Sequence, residues 1–136
     1  MFAKLHKSEV MVVDRSAIKQ KHLVYLLAAS KPQKYPDGKS GIMYIGSTQN
    51  GVARVASSAA RQARWILTGY GIRKFTARVV TCPGRPGLKM WRVLERDLLL
   101  TFKHRFGRLP WLNKQKPKFL SGLFRAEKLE RILTAV

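Results

Sequence analysis

The sequence predicts a small α/β domain, and the pattern of its apolar residues supports that fold class. Two short apolar runs bounded by turn residues, Leu23–Ala29 and Gly41–Gly46, are typical of strands. Apolar residues recur at helical spacing over Gly51–Thr68 and again over Leu88–Phe106. Between these helices, apolar and polar residues alternate over Lys74–Cys82, which indicates a third strand. The expected order is therefore strand, strand, helix, strand, helix.

Composition and charge indicate the class of partner. The chain has 136 residues, 46% of them hydrophobic, which is enough for one domain with a modest core. Lysine and arginine number 27 against 7 acidic residues, giving a formal net charge of +20. Such an excess of positive charge is self-repelling unless a polyanion is near, so DNA or RNA is the expected partner.

Extensions flank the predicted domain, which spans residues 23–113. Residues 1–22 form a basic arm with one apolar patch, Val10–Val13, which we expect to pack against the body. Residues 114–136 form a basic connector followed by an amphipathic helix that packs on the domain or on a partner. The oligomeric state is not predicted.

Other classes of protein are disfavoured. The longest apolar run is far below the ~20 residues of a membrane-spanning helix, and we expect no membrane association. The single cysteine, Cys82, fits an intracellular reducing compartment, with cytoplasm, nucleoid and mitochondrion all open. One cysteine and three scattered histidines do not have the spacing of a zinc site.

Three residues of the first half are candidates for phosphodiester chemistry. Tyr25 and Tyr44 lie on the two predicted neighbouring strands, and Arg54 lies near the start of the following helix. A phenol can take a proton from water, and a guanidinium can hold the charge that develops on a phosphate. If the three side chains converge, they form a site for phosphate-ester hydrolysis.

Glu95 is the candidate metal ligand. It shares a helical stripe with Trp91 and Leu98, so its carboxylate is directed at the body of the protein, where it needs a cation. No acidic residue lies between Asp37 and Glu95. Mg²⁺, or Mn²⁺, suits one carboxylate together with water and phosphate oxygens. An ion pair with a neighbouring arginine is the alternative.

These residues together resemble the GIY-YIG nuclease superfamily. The resemblance is carried by Leu23-Val24-Tyr25, by Met43-Tyr44-Ile45-Gly46-Ser47-Thr48, and by Arg54, Glu95 and Asn113 in the same order. It implies that the two tyrosine motifs form the first hairpin of a small three-stranded mixed sheet. It also implies that the tyrosines position and deprotonate water, that Arg54 neutralises the phosphate, that Glu95 holds the metal, and that Asn113 closes the module.

The chain departs from the family pattern in three places. Leu23 stands where glycine is usual, and Ser58 stands where a histidine is often found one turn after the arginine. The two tyrosines are also further apart than usual, which predicts an enlarged loop over Ser30–Gly41 beside the site. That loop either grips a backbone phosphate or is simply solvated.

Cations and one aromatic residue outline a candidate nucleic-acid surface. Arg54, Ser58, Arg61 and Trp65 follow one another at helical spacing on the predicted first helix. Alternating cations and aromatics suit a surface that follows a phosphate backbone, although exposed arginines are often only solvated. The predicted nucleic-acid-binding residues are Lys34, Lys39, Arg61, Arg64, Trp65, Arg73 and Lys74.

Two functions are compatible with these patterns. The first is a divalent-metal-dependent endonuclease that acts on DNA or structured RNA. The alternative is a catalytically silent protein that reuses the nuclease fold to bind ribosomal RNA within a ribosome, including an organellar one. Metal-dependent nicking discriminates the first from the second.

Overall fold

A computed structural model describes residues 1–7 and 18–136, which form three strands, three α-helices and one π-helical segment. The predicted apolar patch Val10–Val13 lies outside the described residues. In chain order the elements are β1 (Leu23–Tyr35), β2 (Gly38–Thr48), α1 (Gly51–Ala63), a π-helical segment (Arg64–Gly69), β3 (Phe75–Val80), α2 (Met90–Phe106) and α3 (Ala126–Thr134).

The strands form one sheet in the order β2-β1-β3, which confirms the predicted fold class. The sheet is antiparallel throughout, not mixed as the family resemblance implied. Because β2 ends beside Leu23 and β3 begins beside Ala29, α1 and the π-helical segment carry the chain from one end of β1 to the other. Strands β2 and β3 therefore run in the same direction, but β1 separates them.

The prediction of an enlarged loop over Ser30–Gly41 is wrong. Strands β1 and β2 extend through this segment and meet at a tight turn. Lys34 pairs with Lys39 and Tyr35 pairs with Gly38, beyond an irregularity that follows Ala28. Tyr35 explains the difference. Its buried ring packs edge-on against Phe102, and its hydroxyl donates a 2.6 Å hydrogen bond to the carbonyl of Ile42. This tertiary packing overrides the local turn signals.

The two faces of the sheet carry separate apolar clusters, as the alternation along β1 requires. Val24 and Leu26 face α2, whereas Leu23, Tyr25 and Leu27 face α1. Helix α3 packs on the domain, with Leu129 and Leu133 buried in the same cluster as Val24. No helix within residues 1–7 and 18–136 is long and apolar enough to cross a membrane.

Candidate active site

The register of the β1–β2 hairpin places the two tyrosines on one face. Tyr25 pairs with Gly46 and Leu27 pairs with Tyr44, so both phenol rings point toward α1, with centroids 5.9 Å apart. Gly46 leaves the space that the rings fill. A Cβ added there would lie 2.6 Å from the Tyr25 hydroxyl and 2.7 Å from the Tyr44 ring. A side chain at position 46 would therefore force the two tyrosines out of place.

Helix α1 supplies a partner for Tyr25. The Tyr25 hydroxyl is hydrogen bonded to Oγ of Ser58 at 2.6 Å, and both residues are buried, with 5% and 3% of their surface exposed. Ser58 therefore does not belong to the solvent-facing stripe predicted for this helix. Arg54 lies one turn before Ser58 on the same side of α1, with its side chain exposed.

Glu95 approaches the tyrosines from the other layer. It lies on α2, and its Oε1 accepts a 3.1 Å hydrogen bond from the hydroxyl of Ser47, which faces α2 from β2. Because β2 is an edge strand, Glu95 and Tyr44 come close around that edge. The carboxylate of Glu95 raises the pKa of the Tyr44 phenol. The structure thus brings Tyr25, Tyr44 and Glu95 together.

Within residues 1–7 and 18–136, no arginine or lysine lies within 4.0 Å of the Glu95 carboxylate. Among the described residues, the ion pair within 4.0 Å is that of Arg105 with Glu130, which are on α2 and α3. Arg92 and Arg96 lower the pKa of Glu95, but burial has the larger effect, and the pKa is raised above its ordinary value. With the described arginines and lysines, this carboxylate therefore does not form the simple ion pair that was the alternative.

Burial and neighbouring groups also change the pKa of Tyr44. Burial, followed by the neighbouring Tyr25 and Glu95, raises the pKa of Tyr44 to about 12. All three effects disfavour a negative charge on the phenol. In the substrate-free chain at neutral pH, Tyr44 therefore keeps its proton. Added positive charge is what would stabilise both the Tyr44 phenolate and the Glu95 carboxylate.

Asp97 does not belong to the site, although it lies only two residues after Glu95. It is buried, and its carboxylate accepts hydrogen bonds from the backbone N–H and the hydroxyl of Ser121. This contact fastens the C-terminal connector to α2. Asp97 therefore points to a different side of α2 from Glu95, which contacts Ser47.

Asn113 fastens the segment after α2 to β2. Its Oδ1 accepts a 2.9 Å hydrogen bond from the N–H of Ile45, and its Nδ2 donates to the carbonyl of Ile45 at 2.8 Å. Nδ2 also donates to the side chain of Gln115, which in turn interacts with the Tyr44 hydroxyl. Asn113 thus holds the strand between Tyr44 and Gly46 in place, the structural role expected of it.

The predicted nucleic-acid-binding residues are all exposed, but they lie in separate places. Lys34 and Lys39 face each other near the tip of the hairpin. At the end of α1, the guanidinium of Arg64 lies 5.5 Å from the ring centre of Trp65, which is 55% exposed. Like charges directly opposed on two strands destabilise a hairpin unless an anion lies between them.

Three residues that support the site were not predicted to do so: Ser47, Gly46 and Gln115. Strand alternation was the available signal for Ser47, because it lies on the opposite face of β2 from Tyr44 and therefore faces α2. Gln115 has no sequence signal of its own, since it reaches Tyr44 through the path of a connector without regular structure.

No described group of three His, Cys, Asp or Glu side chains is arranged to hold a metal ion by itself. A cation here would take Glu95 together with water and substrate oxygens, which is the binding mode that Mg²⁺ favours. Comparison of the chain with protein-family models, curated proteins and solved structures finds no match.

Proposed function

We propose that this chain is a divalent-metal-dependent endonuclease of the GIY-YIG type, which hydrolyses phosphodiester bonds in nucleic acid. The observation that carries the proposal is Glu95 in a chain of net charge +20. Its half-buried carboxylate forms no ion pair with the residues that the structure describes, and it lies beside two phenols. A negative charge is costly in that position, and a hydrated cation with a phosphate offsets the cost.

The residues divide the chemistry among them. Tyr44, the more exposed of the two phenols, would position the attacking water. Positive charge from a bound cation would favour loss of the Tyr44 proton to solvent, and the phenolate would then accept the proton of the water. Tyr25, fixed by Ser58, sets the position of the Tyr44 ring. Arg54, whose side chain is exposed one turn before Ser58, neutralises the scissile phosphate. Mg²⁺ or Mn²⁺ bound at Glu95 supplies positive charge for the leaving oxygen.

One observation favours the alternative, a structural RNA-binding protein. The Tyr25 hydroxyl is buried and paired with Ser58, so it cannot contact a water molecule without moving. A chain that no longer cleaves needs no mobility there, and its net charge of +20 would serve binding alone. In this alternative the partner is ribosomal RNA.

A direct incubation separates the two functions. Purified protein is mixed with supercoiled plasmid and, separately, with a structured RNA, with and without Mg²⁺ or Mn²⁺. Metal-dependent nicking of either substrate supports the endonuclease. Tight, salt-sensitive binding to RNA without cleavage in any metal contradicts it and supports the structural protein.

A further inference from the structure

A pair of stacked rings lies one helical turn from Glu95. The imidazole of His22 lies parallel to the indole of Trp91, with centroids 3.9 Å apart and planes 14° from parallel. Trp91 precedes Glu95 by four residues on α2, a separation of about 6 Å along the helix axis. His22 is exposed, so the ring pair ends in a flat aromatic surface at the protein boundary.

A cavity of about 230 Å³ opens beside this ring pair. Besides the two rings, its lining includes Gln20, Lys21, Cys82, Leu88 and Met90. The cavity therefore combines apolar and aromatic side chains with one cation and one amide. The backbone carbonyl of Lys21 also accepts a 2.9 Å hydrogen bond from the N–H of Gly51, which ties this part of the lining to the start of α1.

We propose that the His22–Trp91 pair and its cavity form a subsite for one unpaired nucleobase next to the scissile phosphate. The subsite rests on the proposed nuclease function and narrows its substrate to strands that offer a free base, such as single strands, junctions or flaps. Within the described residues, Trp91 is the ring stacked on His22 and no other ring covers it. The outer imidazole face therefore accepts the base.

The dimensions and charge of the region fit a nucleotide. The ~6 Å along α2 from Trp91 to Glu95 is comparable to the separation of neighbouring nucleotides in a strand. A base stacked on His22 thus leaves a neighbouring phosphate within reach of Glu95 and Tyr44. Lys21 lines the same cavity, where its ammonium can meet the phosphate of the stacked nucleotide.

The subsite accounts for a ring pair that the catalytic residues do not use. Trp91 is half-buried against the core, and the exposed imidazole of His22 is held parallel to it at the surface. Stacking is tolerant of sequence because every base has an aromatic face. The subsite therefore selects for an unpaired base and not for a particular base.

Binding in the absence of divalent metal tests the subsite without relying on cleavage. The probes are a labelled 12-mer of thymidine, the same length of uridine, and a blunt duplex, each measured by fluorescence anisotropy against the wild-type chain. The variants are H22A, which removes the ring, and H22F, which keeps a flat ring. H104A is the matched control, because His104 is an exposed histidine on α2 that stacks on no described ring.

H22A is expected to weaken binding to a single-stranded probe about 5-fold or more, since stacking one base contributes on the order of a tenfold change in affinity. H22F is expected to restore it, and H104A and duplex binding are expected to stay within about 2-fold of wild type. The proposal is overturned if H22A binds the single strands as H104A does, or if H22F is as weak as H22A. Preference for thymidine or uridine tells DNA from RNA. These outcomes do not depend on nuclease activity.

Discussion

The hydroxyl of Ser47 donates a hydrogen bond to the carboxylate of Glu95 and so joins β2 to α2 at the site. That bond lowers the pKa of Glu95 against the larger effect of burial. Ser47→Ala should therefore raise the pKa of Glu95 further and move the acid limb of the cleavage profile to higher pH, because the ionised form is the one that binds metal. Cleavage rate against pH measures the shift. Ser57→Ala, an exposed serine on α1, should leave the profile unchanged.

Gly46 is the residue on which the tyrosine pair depends most closely. Gly46→Ala places a methyl group 2.6 Å from the Tyr25 hydroxyl, so the rings must shift. We expect a loss of stability of about 1 to 3 kcal/mol, typical of overpacking, together with loss of cleavage. Urea unfolding measures the first effect and plasmid nicking the second.

The control for this substitution is Gly84→Ala. No atom lies within 4 Å of a Cβ added at Gly84, and its backbone does not require glycine. Its stability should stay within about 0.5 kcal/mol of wild type. An equal loss of stability in Gly46→Ala and Gly84→Ala would contradict the claim that the close approach of Gly46 to Tyr25 requires glycine at position 46.

Asn113 is predicted to stabilise the fold through β2. In Asn113→Ala the N–H and the carbonyl of Ile45 lose their partners, and each buried group left unsatisfied costs about 1 to 3 kcal/mol. Denaturant unfolding should report a loss of about 2 to 6 kcal/mol, the sum for the two groups. The control is Asn50→Ala, at the exposed start of α1, where the Asn50 side chain forms no cap. Its free energy of unfolding should change little. Similar losses in both variants would contradict the role given to Asn113.

Tyr44 should make stability depend on pH in the alkaline range. Its pKa is about 12 in the folded chain against an ordinary value of 10.0, so the unfolded chain loses this proton first as pH rises. The contribution is fully present below pH 10 and is lost as pH rises toward 12. Tyr35, whose pKa burial also raises, contributes in the same direction. Tyr44→Phe should therefore lose less stability over this window than wild type, as measured by urea unfolding at successive pH values. Identical pH dependence in the two chains would contradict the buried environment of this phenol.

The strands and helices could be predicted from sequence because the apolar residues in most of them recur at the regular spacing of a strand or a helix. The apolar run Leu23–Ala29, bounded by turn residues, was predicted as a strand and lies within β1. The prediction failed at the tip of the hairpin because Pro36, Asp37 and Gly38 are turn formers. The strands are extended by Tyr35, which acts through contacts with residues distant in sequence. Local patterns do not carry that information.

The site was predictable only in part, for a similar reason. Spacing on α2 identified Glu95 as directed inward, and this is confirmed by its contact with Ser47. Spacing on α1 placed Ser58 on the solvent side, which is wrong. Its hydroxyl is drawn toward the Tyr25 phenol, and two polar groups that satisfy each other can be buried together. A small polar residue on a helix gives no signal of such a partner.

The measurement that tests the nuclease proposal most directly compares Glu95→Gln with Glu127→Gln. Glu127 is an exposed glutamate in the first turn of α3, so both substitutions remove one negative charge. Plasmid nicking with Mg²⁺ and metal-free binding are measured for each chain. We predict that Glu95→Gln cleaves about 100-fold or more slowly than wild type, because several kcal/mol of charge stabilisation are lost, while its affinity for nucleic acid is kept. Glu127→Gln should cleave as wild type does. Cleavage by Glu95→Gln at the wild-type rate would contradict the assignment of Glu95 and, with it, the proposed function.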